Sequence, residues 1–115
     1  MIRIVLNGQP VGKGRPRFGK GHAYTPTKTR NFENDLAWAA KIAMQGRMPL
    51  EGDVRVNVMV NLAPKTRACD LDNYLKSSLD PLNGIVWKDD RQVSEIQIVR
   101  LFTEDPSLHI EVTKL

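Results

Sequence analysis

The sequence predicts a single α+β domain with element order β-α-β-α-β-β, a mixed sheet carrying two helices on one face. Three observations predict it. Val54, Val56, Val58, Val60 and Leu62 alternate with Arg55, Asn57, Met59 and Asn61, which marks a strand with one buried face. Two other stretches repeat apolar residues at three- and four-residue steps, the helical period. The 115 residues match the commonest domain size, and they show no repeat, linker or second domain.

The elements follow in order. Residues 2 to 6 are apolar but for Arg3 and read as a short strand. Residues 7 to 27 hold Gly8, Gly12, Gly14, Gly19 and Gly21 with Pro10, Pro16 and Pro26, a breaker density that reads as a long loop. A loop of that length in a small domain is usually functional. From about Lys28 to Met44 a helix is expected, with Phe32, Leu36, Ala39, Ala40 and Ala43 on its core face and Gly46 and Pro49 ending it. After the alternating strand, residues 64 to 69 form a loop. A second helix spans residues 71 to 82, with Leu71, Leu75, Leu79 and Leu82 on its core face, Asp70 placed to cap it, and Asn83-Gly84 as its stop. Ile85-Val86-Trp87 is a short apolar run. Strands are expected at roughly 93–101 and 107–113, with a turn at Glu104-Asp105-Pro106-Ser107 between them. With helices packed on one side of a mixed sheet, this is an α+β layer architecture.

Composition excludes several classes. Apolar residues are 41% and charged residues 26%, which suits a folded protein and not a disordered or low-complexity chain. No run reaches the ~18 apolar residues of a membrane span, and the N-terminus lacks the pattern of a signal peptide. The lone Cys69 excludes an internal disulfide framework and a multi-cysteine zinc site. A soluble cytoplasmic protein is expected. The pI is near 9.5, in the range that prompts a search for a nucleic-acid surface. Residues 10 to 30 hold Lys13, Arg15, Arg17, Lys20, Lys28 and Arg30 with no acid, a local charge of +6. The remainder has 11 bases against 13 acids, or −2. The whole positive excess therefore sits in one segment, read here as a candidate nucleic-acid-binding surface.

The acids are concentrated too. Asp70-x-Asp72-Asn73 opens the second helix, and Lys76 and Asp80 follow Asp72 at four-residue steps on one face. Asp89-Asp90 comes ten residues after Asp80, in a loop able to fold back beside that helix. Gathered carboxylates repel one another, and a divalent cation removes the penalty. Hard oxygen donors favour Mg²⁺ or Mn²⁺, and in phosphoryl chemistry such ions clamp the attacking and leaving oxygens. Asp70, Asp72 and Asp90 are enough ligands for such a centre, with Lys76 balancing charge on the phosphate or leaving oxygen. A plainer reading stands beside it: Asp70 caps the helix, Asp72 and Lys76 form a surface ion pair, and Asp89-Asp90 is a solvated turn.

The run Asp70-Leu71-Asp72-Asn73-x-x-Lys76-x-x-x-Asp80-x-Leu82-Asn83-Gly84, with Asp89-Asp90-x-x-Val93, resembles the RusA family of Holliday junction resolvases. Gly12-Lys13-Gly14-Arg15-Pro16-Arg17 and Tyr24-Thr25-Pro26-x-Lys28-Thr29 resemble the basic segment of its phage and prophage members. The resemblance covers nearly the whole chain. It implies a homodimeric, Mg²⁺-dependent endonuclease, with Mn²⁺ as a possible substitute. Such an enzyme resolves four-way DNA junctions by paired symmetric nicks, in the cytoplasm of a bacterial or phage-infected cell. It puts the essential acids at Asp70, Asp72 and Asp90 and the essential lysine at Lys76. Asn73, Asp80 and Asp89 are possible supporting residues. The rival readings are a non-catalytic basic nucleic-acid-binding protein and a metal-dependent nuclease without junction preference.

Other features carry less. Gly8-x-x-x-Gly12-Lys13-Gly14 is one residue short of a P-loop, and no Ser or Thr follows the lysine, so nucleotide binding is rejected. His22 and His109 read as surface residues. Trp38 and Trp87 read as packing residues. Phe18 and Tyr24 interleave with the bases and are placed to touch DNA bases.

Overall fold

The strictly alternating strand lies inside the sheet. A computed structural model describes residues 1–14, 17–19, 22–24 and 26–115, the two short stretches by their backbone alone. The strands are β1 (Ile2–Asn7), β2 (Arg17–Gly19), β3 (His22–Tyr24), β4 (Val54–Leu62), β5 (Val93–Phe102) and β6 (Ser107–Lys114). The helices are α1 (Thr27–Met44) and α2 (Leu71–Leu79). The main sheet runs β1-β6-β4-β5. β4 pairs antiparallel with β6 and parallel with β5, and β6 pairs antiparallel with β1, so the sheet is mixed, as expected.

Side-chain alternation decides which face is covered. Val54, Val56, Val58 and Val60 of β4 are buried with Ile2 and Ile4 of β1 and Leu108, Ile110 and Val112 of β6. They join Phe32, Leu36, Ala40 and Met44 of α1 in one core. The other face carries Arg3, Arg55, Asn57, His109 and Glu95, all exposed. β5 and β6 follow each other through residues 103–106 but do not pair, because β4 lies between them. Thr103 extends the β4–β5 pairing by donating its N–H to the Leu62 carbonyl at 2.8 Å.

Four expectations are corrected. The segment expected to be a loop over 7–27 contains the antiparallel hairpin β2–β3. The second helix is α-helical only to Leu79 and tightens into a 3₁₀ turn over Asp80–Leu82, with Pro81 at its start, where a missing N–H costs nothing. Of the expected core leucines only Leu82 is fully buried, and the buried residues of α2 itself are Tyr74, Ser77 and Ser78. Leu71 is exposed, and Leu75 and Leu79 are only half-buried. Serine lets the helix approach its neighbours closely, and the Ser77 hydroxyl is satisfied by donating to the Val11 carbonyl at 2.7 Å. Trp87 is fully buried. Trp38 is exposed with the Lys41 ammonium over its ring, so it is not a packing residue within this chain.

Candidate active site

The start of α2 sets the first two carboxylates. Asp70 stands at the N-cap in extended conformation, yet its side chain accepts no bond from the helix amides. Only its carbonyl takes part, accepting from Asn73 N–H at 3.0 Å. The capping role weighed from the sequence is therefore not what occupies this carboxylate. Asp72 is exposed one residue inside the helix. Among the described residues it forms no ion pair with Lys76, although the two share a face.

Asp89 and Asp90 are adjacent in sequence and opposite in use. Asp89 caps a 3₁₀ turn over Asp90–Gln92 through a reciprocal capping box with Gln92. Its Oδ1 accepts from Arg91 N–H at 2.9 Å. That backbone bond, then the Arg91 guanidinium, holds the Asp89 carboxyl below the usual carboxylate range. Asp90 instead lines a cleft of about 220 Å³ with Leu75, Lys76, Leu79, Asp80 and Ile96. The half-buried leucines of α2 are thus the apolar wall of this cleft, and Lys76, Asp80 and Asp90 are its charged rim. A larger concavity, about 300 Å³ between Asn57, Met59, Gln97, Val99, His109 and Glu111, lies on the sheet face away from α2. The acidic cleft is preferred as the site because charge converges there.

The donor chemistry suits a hard divalent cation. The geometry of one chain does not complete a site: among the described residues no three carboxylates, histidines or cysteines come close enough together to hold a metal ion. Asp80 and Asp90 share the cleft, while Asp70 and Asp72 remain at the other end of α2.

The basic segment meets this site at its root. Lys13 Nζ pairs with Glu33 at 2.9 Å and with Asp80 at 3.3 Å. Burial would lower the Lys13 pKa, but the hydrogen bond and charge of Glu33, joined by Asp80, outweigh it and raise it above the ordinary lysine value. The Lys13 N–H donates to the Asn73 carbonyl at 2.9 Å. Lys28 and Arg30 are exposed on the first turn of α1. Arg15 and Lys20 lie outside the described residues, as do the side chains of Arg17, Phe18 and Tyr24. Sequence reading passed over Glu33; its signal was to be the first acid of the chain, after seven bases.

The family comparison decides the class. The family model for Endodeoxyribonuclease RusA matches residues 7–113, from the basic segment through β6. The chain belongs to the RusA endodeoxyribonuclease family. It is also similar to a Bacillus subtilis (strain 168) protein bearing the description "Uncharacterized protein YqaN", at 28% identity over 141 residues, covering 99% of this chain and 96% of that protein. RusA membership carries the class of activity, endonucleolytic hydrolysis of DNA. No helix among the described residues is long and apolar enough to cross a membrane.

Proposed function

We propose that this RusA-family chain is a Mg²⁺-dependent endonuclease selective for four-way DNA junctions, cutting them by paired symmetric nicks in recombination and repair. The observation that carries the reading is the cleft where Lys76, Asp80 and Asp90 meet, reached at Asp80 by Lys13 of the segment of charge +6. The family resemblance makes Asp70, Asp72 and Asp90 the proposed ligands of the cation, Mg²⁺ or in its place Mn²⁺, although the described residues of one chain do not bring the three together. Bound there, it supplies charge neutralisation and an acidified water. Lys76 offers a positive charge to the phosphate or to the departing 3′ oxygen. Lys28 and Arg30, with Arg15, Arg17 and Lys20, take the phosphates of the arms.

The test compares a synthetic four-way junction with linear duplex of the same sequence, each with Mg²⁺ and with EDTA. Paired nicks confined to the junction and lost in EDTA support the proposal. Equal cutting of linear duplex would reduce it to a general nuclease, and binding without cutting would leave a DNA-binding protein.

Neutralising Arg15 and Arg17 together is expected to weaken binding and to lower the salt slope by about one unit per lost phosphate contact. Titrations at several salt concentrations check this, and an unchanged slope would move the DNA surface elsewhere.

Two opposed cuts require two sites, so the active form is proposed as a homodimer. Strand β5 supports this. It ends the sheet and exposes Ile96, Val99, Leu101 and Phe102, and a long apolar edge is a pairing surface. The proposed occupant is a second copy of the chain. Light scattering is expected to read twice the 13.0 kDa chain mass, and Leu101→Glu to shift it to the monomer with loss of paired nicks. A monomeric wild type would remove the dimer.

A further inference from the structure

Gly12–Gly14 and Pro26–Thr29, near the two ends of the basic segment, meet in a narrow neck. Gly14 N–H donates to Thr29 Oγ1 at 3.1 Å, and the same hydroxyl donates to the Gly12 carbonyl at 3.3 Å. Thr29 is buried. A side chain at Gly14 would place its first carbon 2.8 Å from Pro26 Cγ, and one at Gly12 would run into Cys69 Sγ. Both glycines are therefore set by close approach. Gly14 and Pro26, on either side of residues 15–25, lie close together.

That neck is fastened to α2 by two bonds and to α1 and the 3₁₀ turn after α2 by a third. Two use backbone: Lys13 N–H to the Asn73 carbonyl, and the Val11 carbonyl to the Ser77 hydroxyl. The third is the Lys13 ammonium, which reaches Glu33 of α1 and Asp80. Asp80 in turn lines the cleft with Lys76 and Asp90. A lysine free to bind a phosphate keeps its ammonium in water. Here the Lys13 and Glu33 side chains are only 28% and 16% exposed. Turning Lys13 toward DNA would strand a largely buried carboxylate, which is costly.

We propose that Lys13 is a positioning residue: its bridge from Glu33 to Asp80 ties the neck of the DNA-binding segment to the catalytic cleft and sets the register between bound DNA and the carboxylates. This rests on the nuclease reading above. It replaces direct phosphate contact, the role expected of Lys13 from sequence, with an internal one. A misplacement of about 1 Å between substrate and reacting groups can cost on the order of 100-fold in rate.

The experiment uses the full chain with Lys13→Met, Lys13→Arg and Glu33→Gln. Single-turnover cutting of a four-way junction is measured at saturating protein, binding and its salt slope are measured in EDTA, and the melting temperature is measured for each. Lys13→Met is expected to slow cutting by roughly 10- to 100-fold with affinity and salt slope unchanged. Lys13→Arg is expected to restore most of the rate, and Glu33→Gln to shift it the same way by less. Weaker binding with a slope reduced by about one would make Lys13 a phosphate contact and overturn the proposal, as would an unchanged rate. Should Lys13→Met fail to fold, Glu33→Gln decides by the same readings. A wild type that cuts no junction removes the nuclease reading itself, and this inference with it. A wild type that cuts beside an indifferent Lys13→Met removes the inference alone.

Discussion

Asp70→Asn is expected to abolish cleavage of a four-way junction while DNA binding is kept or strengthened. Asparagine has the same shape and is as good a helix N-cap residue as aspartate, so α2 and its melting temperature should be preserved. What is lost is one negative charge. At the proposed cation site a carboxylate becomes a weaker neutral donor, and the rate should fall on the order of 10³-fold. The same charge repels the DNA phosphate when no cation is bound, so its removal leaves affinity equal or tighter. Asp72→Asn should behave alike. Nicking of an end-labelled junction beside a gel-shift titration checks both quantities. Normal turnover with weakened binding would contradict the metal role and favour an acid that only shapes the surface.

Trp87→Ala carries the largest expected effect on stability. The indole is fully buried, and its Nε1 donates to Asn83 Oδ1 at 2.7 Å. Its backbone bridges to Leu50 and to Asn83, and the ring is part of the one hydrophobic core. Truncating a buried tryptophan costs about 3–5 kcal/mol, and in a domain of this size that lowers Tm by roughly 10–20 °C. Trp87→Phe keeps most of the packing and strands only an acceptor on exposed Asn83, so it should cost much less. Thermal melts followed by circular dichroism check the pair, and a Tm unmoved by Trp87→Ala would mean the core closes without the ring.

Where sequence reading of α2 and the basic segment departs from the structure, the cause is packing between elements. Periodicity marks α2 as amphipathic but cannot say which stripe faces the core. The leucines outweigh Tyr74, Ser77 and Ser78 in hydropathy, yet the serines allow closer contact and the leucines become the wall of a cleft. Likewise, Asp89 and Asp90 are equivalent as letters. Only the capping box, which uses Asp89 for the turn, leaves Asp90 for the cleft. The hairpin β2–β3 was hidden because glycines and prolines mark turns without showing which short runs between them pair.

The sequence by itself determined the α+β class, β4 with its buried face, the acidic spacing from Asp70 to Asp90 and the concentration of positive charge before α1. These are local properties, written in period, composition and spacing. The tertiary structure alone decided that β6 lies between β1 and β4, that Lys76, Asp80 and Asp90 share one cleft, and that Lys13 lies between Glu33 and Asp80. Each of these is a meeting of residues distant along the chain, set by how close two surfaces can approach, and local pattern carries no record of that distance.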